Sequence, residues 1–409
     1  MRLLILLLLI SITFSADLRE LLEIAYKNTT NIKISELDLK RAYEEIRRAR
    51  AGILPTVTGG YSYTHLDKSL VFGFALRDRQ SYNITLTQNI FNKVIFDTLS
   101  LAKNEVKLRE LILEDVKKEV EYTVKELYYA LLYKKAVVDL EKDNLRYWEE
   151  NLRLVEEKYK AGILPKVEYL RAKAQYESAK VSLIDAETDY YKSLEELRAF
   201  LRAEDIKEIE GKLSYEDFPL EGEPWEEKLL KNNTSLKIAK QRLEVAKKLI
   251  DVASADYYPS VQAFAEYQGY TTRKSLFGGK ERVNGYSVGI SLNYKFFDGF
   301  KREAEVAQRK IDFLKEKENY TDLLYRLKAE LNKTLLDLKS LRERIKATEL
   351  SLEAAKESLR LSTERYKEGI ATQLEVLDAR SKYNEVLKEY LFLLYLYNAN
   401  LARLERLVN

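Results

Sequence analysis

Four segments of the chain alternate apolar and polar side chains, and long stretches with helical periodicity separate them. A period of two is typical of β-strands with one apolar and one polar face. The alternation predicts strands over residues 56–65, 81–91, 260–270 and 285–296. Apolar residues at intervals of three and four predict paired long helices over residues 93–161, 165–202, 300–368 and 372–407. The fold class is therefore mixed and mainly α.

The same order of elements occurs twice because the chain is an internal duplication. An offset of 204 places Lys27–Asn28 over Lys231–Asn232, and an offset of 207 places Glu157–Ile163 over Glu364–Ile370. Small changes in offset are expected where loops differ in length. The tandem repeat predicts a first structural repeat over residues 17–202, an equatorial linker over 203–223 and a second repeat over 224–409.

The first 16 residues, MRLLILLLLISITFSA, have the character of a secretory signal peptide, with a basic residue, a short apolar run and small residues before Asp17. No later segment is apolar enough to predict a transmembrane helix. If the mature chain enters a membrane, it must do so as a closed β-barrel, the other structure that satisfies the backbone in lipid.

Composition argues against most enzyme and nucleic-acid functions. The chain has no Cys, which excludes disulfides and thiolate metal sites. Its single His argues against catalysis by a Ser-His-Asp triad. With 69 Lys and Arg against 66 Asp and Glu, the charge is nearly balanced. Adjacent acids such as Glu149–Glu150 do not face each other on a helix. We expect no enzymatic activity, no cofactor, no metal and no nucleic-acid partner.

Four strands are too few to close a membrane barrel, since the smallest known have eight strands, so several chains must share one. Alternation alone also fits a soluble sheet with one packed face. Aromatic residues near the strand ends suit the girdles that contact outer-membrane lipid. The predicted girdle residues are Tyr61, Tyr63, Tyr82, Tyr286, Tyr294 and Phe297.

Two related motifs, Glu157–Tyr176 (EKYKAGILPKVEYLRAKAQY) and Glu364–Tyr383 (ERYKEGIATQLEVLDARSKY), resemble the TolC-like outer-membrane efflux proteins. The resemblance implies a homotrimer with a twelve-stranded outer-membrane β-barrel, continuous with a long α-helical barrel in the periplasm. It also implies an exit duct that passively conducts drugs, metal ions or proteins from an inner-membrane pump and a periplasmic adaptor, in a tripartite efflux or type I secretion system. The alternative is a secreted coiled-coil structural or adhesive protein without a pore.

By the same resemblance, the two helical hairpins end at a closed periplasmic gate. Glu375 and Asp378 match the family's acidic positions inside the entrance, where three copies would form a negative ring that favours cations. On the residues alone, these acids also fit a solvated helix face. Gly162 and Gly369 match the turns at the helix tips, where the adaptor is expected to dock.

Glu168 and Tyr366 match family positions in the contacts between helices that hold the gate shut. The basic partner of some family members falls at Ala371, so a salt-bridge lock requires a substitute such as Lys166 or Arg171.

Overall fold

A computed structural model describes residues 14–71, 76–273 and 278–409. Over these ranges we number six strands and eight α-helices in chain order. They are β1 (Phe14–Ala16), α1 (Leu18–Asn28), α2 (Thr30–Ala51), β2 (Thr56–His65), β3 (Asp78–Phe91), α3 (Lys93–Lys160), α4 (Lys166–Leu201), β4 (Ile206–Ile209), α5 (Trp225–Asn232), α6 (Thr234–Ser254), β5 (Ser260–Arg273), β6 (Lys280–Asn293), α7 (Lys301–Lys367) and α8 (Gln373–Val408).

The chain divides into two compact units, and each takes segments from both sequence repeats. The sheet unit comprises Ser35–Leu113 and Ser235–Leu323. The helical unit comprises the residues up to Ile34, Glu114–Thr234 and Leu324–Asn409. The duplication therefore describes the history of the sequence, whereas each compact unit is built by both copies together.

The sheet unit contains an antiparallel sheet in the order β2-β3-β5-β6. Its register pairs like with like, because Leu86 lies opposite Val57 on one side and Ala265 on the other. On the opposite face, Thr85 lies between Thr58 and Glu266. The predicted alternation is confirmed: one face is apolar and rich in Tyr, and the other is small and polar. Within the described residues, β2 and β6 each pair along one side only.

The last strand differs from its sequence-based prediction of 285–296. It begins at Lys280 and ends at Asn293, so Tyr294, which the prediction placed in the strand, follows it, as does Phe297. The aromatic residues continue the alternating pattern, but the backbone turns just beyond them. Gly299 and Phe300 both have positive φ, and the Asp298 carboxylate lies 3.0 Å from Arg302 Nε.

The helical unit contains a layer in the order α4-α3-α8-α7. Lys134 Nζ donates to Ser193 Oγ between α3 and α4. Lys125 Nζ lies 2.7 Å from Glu405 between α3 and α8. The Arg403 guanidinium lies 2.9 Å from Glu330, joining α8 to α7. Contacts between α3 and α8 recur along the layer, so the two sequence repeats pack directly against each other.

Leucines at helical spacing supply much of the core of this unit. Leu194, Leu197 and Leu201 lie on one face of α4 and are fully buried. Burying each such side chain contributes about 1.5–3 kcal/mol. Ile206 and Ile209 of β4 are also buried, which attaches the start of the 203–223 segment to the helices.

The segment that was predicted as the inter-repeat linker begins with a strand. Its β4 pairs in parallel with β1, and Glu210 N–H donates to the Ala16 carbonyl at 3.0 Å. Tyr397 OH donates to the Glu216 carbonyl further along, where the segment contacts α8. Of the predicted signal peptide, residues 1–13 lie outside the described residues, and 14–16 form β1. None of the described helices combines the length and the apolar character needed to cross a membrane.

Candidate functional site

The turns at the ends of the two long hairpins share one backbone conformation. Gly162 and Gly369 have φ values of +73° and +77°. Their N–H groups donate to the carbonyls of Tyr159 and Tyr366 at 2.9 and 3.0 Å. Left-handed backbone at the end of a helix satisfies terminal carbonyls and reverses the chain. Both predicted turn residues therefore occupy the position where glycine is favoured.

Exposed apolar side chains follow each of these glycines. Ile163 and Ile370 each donate an N–H to the helix end at 2.9 Å, while their side chains are 70% and 64% exposed. Leu374 at the start of α8 is also exposed. Each tip therefore presents an isoleucine side chain to solvent in the single chain.

Glu375 takes part in the N-terminal capping box of α8. Thr372 and Glu375 form a capping box, in which Glu375 N–H donates to Thr372 Oγ1 and Glu375 Oε1 accepts from Thr372 N–H at 3.1 Å. The hydrogen bonds that the Glu375 carboxylate accepts from Thr372 N–H and Thr372 Oγ1, with a smaller effect of Arg365, lower the pKa of the Glu375 carboxyl. Glu375 and Asp378 are both exposed, one turn apart on α8. The structure therefore places two ionisable acids together on this tip.

Glu168 is held within its own helix. Its carboxylate accepts from Arg171 Nη1 at 3.0 Å, one turn further along α4. Tyr366 lies near the Lys158 ammonium, which is 5.9 Å from the ring centroid. Among the described residues, no hydrogen bond joins Glu168 to Tyr366. Arg171 is thus engaged in a local ion pair, and a lock between helices at these two positions stays a prediction.

A polar cluster between α3 and α8 escaped the sequence analysis. Asn144 Oδ1 accepts from Arg380 Nε at 3.3 Å and from Asn384 Nδ2 at 3.1 Å. One heptad away, Asn151 Oδ1 accepts from Gln373 Nε2 at 3.0 Å. We name these five residues the α3–α8 seam. Two asparagines seven positions apart, in a segment otherwise patterned for helix packing, are the sequence signal that could have revealed it.

The seam holds a partly buried cation. The Arg380 guanidinium lies 3.8 Å from the centroid of the Tyr147 ring, and its Nη2 donates to the Asp143 carbonyl. Burial lowers the pKa of Arg380. Because its partners are neutral oxygens and an aromatic face, the seam depends on geometry more than on ion pairing.

A cleft of about 320 Å³ lies where α3, α4 and α8 meet near the tips. Trp148 and Leu377 supply apolar walls, while Glu168, Arg171 and Gln373 supply polar ones. The cleft brings Glu168 close to the start of α8 without a direct bond to the acids of that helix.

The predicted girdle residues divide between the strands and the segment after β6. Tyr61 lies opposite Tyr82, and Tyr286 opposite Tyr267, in the sheet. Tyr63 is on β2, two positions beyond Tyr61. After β6, Tyr294 packs edge-on against Phe296 with centroids 4.9 Å apart, and Phe297 packs similarly against Phe300 at 5.5 Å. Phe296 and Phe300 are exposed and extend the predicted set.

A family model described as "Outer membrane efflux protein" matches residues 21–201 and 225–409. The chain belongs to the outer membrane efflux protein family. The match covers both sequence repeats, including the strand pairs that a coiled-coil protein without a pore does not explain. Membership confirms the predicted resemblance and makes the protein an outer-membrane efflux channel that extends into the periplasm.

Relatives of this outer membrane efflux protein cover most of its length. The alkaline protease secretion protein AprF of Pseudomonas aeruginosa is 23% identical over 91% of this chain and 79% of its own. The outer membrane protein TolC of Escherichia coli is 20% identical over 90% of this chain and 77% of its own. The crystal structure of the Campylobacter jejuni CmeC outer membrane channel superposes with a TM-score of 0.82, at 18% identity, over 96% of this chain and 85% of that one.

Proposed function

We propose that three copies of this efflux protein form a passive exit duct, which receives substrate from an inner-membrane pump through a periplasmic adaptor. The duct serves a tripartite efflux or type I secretion system. The observation that carries the proposal is the four-stranded sheet, which has an exposed apolar face and two edge strands paired on one side only. The duct conducts substrate and does not transform it.

The sheet supports the trimer. Open edges of β2 and β6 leave backbone N–H and C=O groups that lipid cannot satisfy. Pairing β2 of one chain with β6 of the next satisfies them, and three chains give twelve strands. The apolar face then contacts lipid: Tyr286, Val288 and Ile290 on β6 are each at least 70% exposed in the single chain.

The helical layer gives independent support. Its two edge helices keep apolar side chains exposed, although an amphipathic helix ordinarily buries such a stripe. The exposed residues include Val181, Ile184 and Tyr191 on α4, and Tyr325, Leu336 and Leu350 on α7. Packing α4 of one chain against α7 of the next covers both stripes and closes a ring of helices.

The tips supply the proposed gate. Three copies of Glu375 and Asp378 form a ring of negative charge that attracts cations in a confined pore. Glu168 and Tyr366 contribute to closure, and the turns at Gly162 and Gly369, with their exposed isoleucines, dock the adaptor. Displacement of the tips by adaptor and pump opens the duct.

Two measurements test this function. Native mass spectrometry in detergent should give a trimer, and a monomer or dimer would contradict the closed barrel. In planar bilayers the purified protein should give small, mostly closed conductances with a preference for cations. Replacing Glu375 and Asp378 by Ala should reduce that preference, and unchanged selectivity would remove both residues from the gate.

A further inference from the structure

Charged residues on the strands of the four-stranded sheet cluster near the β2–β3 and β5–β6 turns, with one exception. At these ends lie His65, Asp78, Arg79, Arg273, Lys280, Glu281 and Arg282. Glu266 stands apart in the middle of β5, with six residues before it in the strand and seven after it. An isolated carboxylate among the uncharged residues in the middle of this sheet points to a functional role.

The register assigns Glu266 to the polar face. Thr85 of β3 and Ser287 of β6 lie directly opposite it. Its Oε1 accepts from Thr85 Oγ1 and from Asn83 Nδ2, each at 3.4 Å. Both donors are neutral. Within the described part of the chain, no Lys, Arg or His comes within ion-pair distance of Glu266, so neighbouring side chains orient its charge without neutralising it.

The composition of the other face of the sheet excludes a barrel in which Glu266 faces lipid. There, the row next to Glu266 contains Val57, Leu86, Ala265 and Val288. A charged side chain that faces lipid at mid-depth destabilises a barrel. An apolar face meets lipid without that cost. The face that bears Glu266 therefore lines the pore in any barrel built from this sheet.

We propose that Glu266 is a selectivity determinant of the pore within the β-barrel, separate from the acids at the helical tips. This inference rests on the proposed trimer. Three copies place three carboxylates at the same level of the barrel interior. Their field raises the local concentration of cations and opposes small anions, so cationic and zwitterionic solutes pass this level more easily than anionic ones.

The experiment removes the tip charges first, so that the barrel can be measured alone. In the E375A/D378A background, the reversal potential in a KCl gradient across a planar bilayer should still indicate a preference for K⁺. Adding E266Q should lower the K⁺/Cl⁻ permeability ratio by roughly two- to threefold, as expected when the pore potential, which acts oppositely on the two ions, changes by about half a kT per unit charge. E266D should retain most of the preference.

Matched controls separate charge from folding. E281Q removes an acid from β6 near the β5–β6 turn and should leave the ratio almost unchanged. Native mass spectrometry of each variant tests whether the trimer persists, and E266D guards against a Gln variant that fails to assemble. An unchanged ratio in an assembled, conducting E266Q channel would overturn the role of Glu266. Absence of any conductance in the unsubstituted protein would instead count against the proposed duct.

Discussion

The two helical tips have the same turn conformation but differ in the charge of one corresponding pair of residues. In the first repeat, Glu168 is followed one turn later by Arg171, and the two form an ion pair. In the second repeat, the corresponding residues are Glu375 and Asp378, and both are acids. Duplication thus preserved the turn while the side chains diverged. Of these two corresponding pairs, only the pair in the second repeat carries a net negative charge, so the proposed acidic ring belongs to that copy.

Exchanging the charges should have the largest effect. D378R copies the first tip into the second and changes the charge by two per chain, so the K⁺/Cl⁻ permeability ratio should fall roughly sevenfold, the effect of about one kT in a pore potential that acts oppositely on the two ions. Planar bilayer reversal potentials measure it. The matched R171D variant makes the first tip acidic and should raise the preference. Equal responses of the two variants in the same direction would contradict the assignment of charge.

Replacing Gly162 by Ala should destabilise its turn to about the same extent as replacing Gly369 by Ala destabilises the other. The two φ values are nearly the same, and no atom lies within 4 Å of an added Cβ at either glycine. Only backbone strain of about 1–2 kcal/mol therefore remains. Hydrogen exchange at residues 158–165 in G162A and at 365–372 in G369A should accelerate to a similar extent. A clearly larger effect at one tip would reveal a contact that differs between the repeats.

Removing the N-cap side chain should affect the two tips differently, with a smaller effect than the changes above. Thr372 caps α8 through its side chain, whereas Pro165 begins α4 without a side-chain cap bond. T372A should weaken the first turn of α8 by about 1 kcal/mol. P165A serves as the control and removes no such bond. Amide exchange at residues 373–376, compared with 166–169, measures the difference, and a matching loss in both variants would argue against the capping box.

The smallest expected effect is on titration. Bonds from Thr372, and Arg365 more weakly, lower the pKa of Glu375 below 4.5 in the folded chain. The pKa of Glu375 is lower in the folded chain than in the unfolded chain, so its ionised carboxylate stabilises the folded state. This stabilisation is complete above pH 4.5 and is lost as the pH falls through the lowered pKa. Carbon-13 NMR of the Glu375 carboxyl should give a midpoint below 4.5. T372A should raise that midpoint, and a midpoint at or above 4.5 in the unsubstituted chain would contradict the bonding.

Local sequence patterns carried much of the fold. Alternation at Val57 and Leu86 predicted the sheet faces because side chains on a strand have a fixed period of two. The same rule misplaced the end of β6, since Tyr294 and Phe296 continue the alternation after Asn293, where the strand ends ahead of the turn at Gly299. Local pattern identifies which side chains share a face, but it does not detect where hydrogen bonding to a neighbouring strand stops.

The site was less accessible to sequence. Gly162 and Gly369 were recognisable because few other residues tolerate their φ. The seam of Asn144 and Arg380 was not, because these residues are 236 positions apart and helical periodicity does not specify which helix is the neighbour. Glu266 was overlooked for a related reason: its significance depends on the strand register, which places it in a row without compensating charge.

The internal duplication relates the α3–α8 seam to a corresponding packing of α7 against α4. In the duplicated sequence α7 corresponds to α3 and α4 to α8, so a ring of three chains would repeat this packing as α7 against the neighbouring α4, with six nearly equivalent boundaries. The residues that correspond to Asn144, Asn151 and Arg380 in the other repeat are Ser351, Ser358 and Lys173, and these would lie at the boundaries between chains. In such a ring, three boundaries with amides and a stacked guanidinium would alternate with three that have Ser hydroxyls and a Lys amine in the corresponding places. A backbone with sixfold pseudosymmetry would then separate with threefold symmetry, at the joints between subunits.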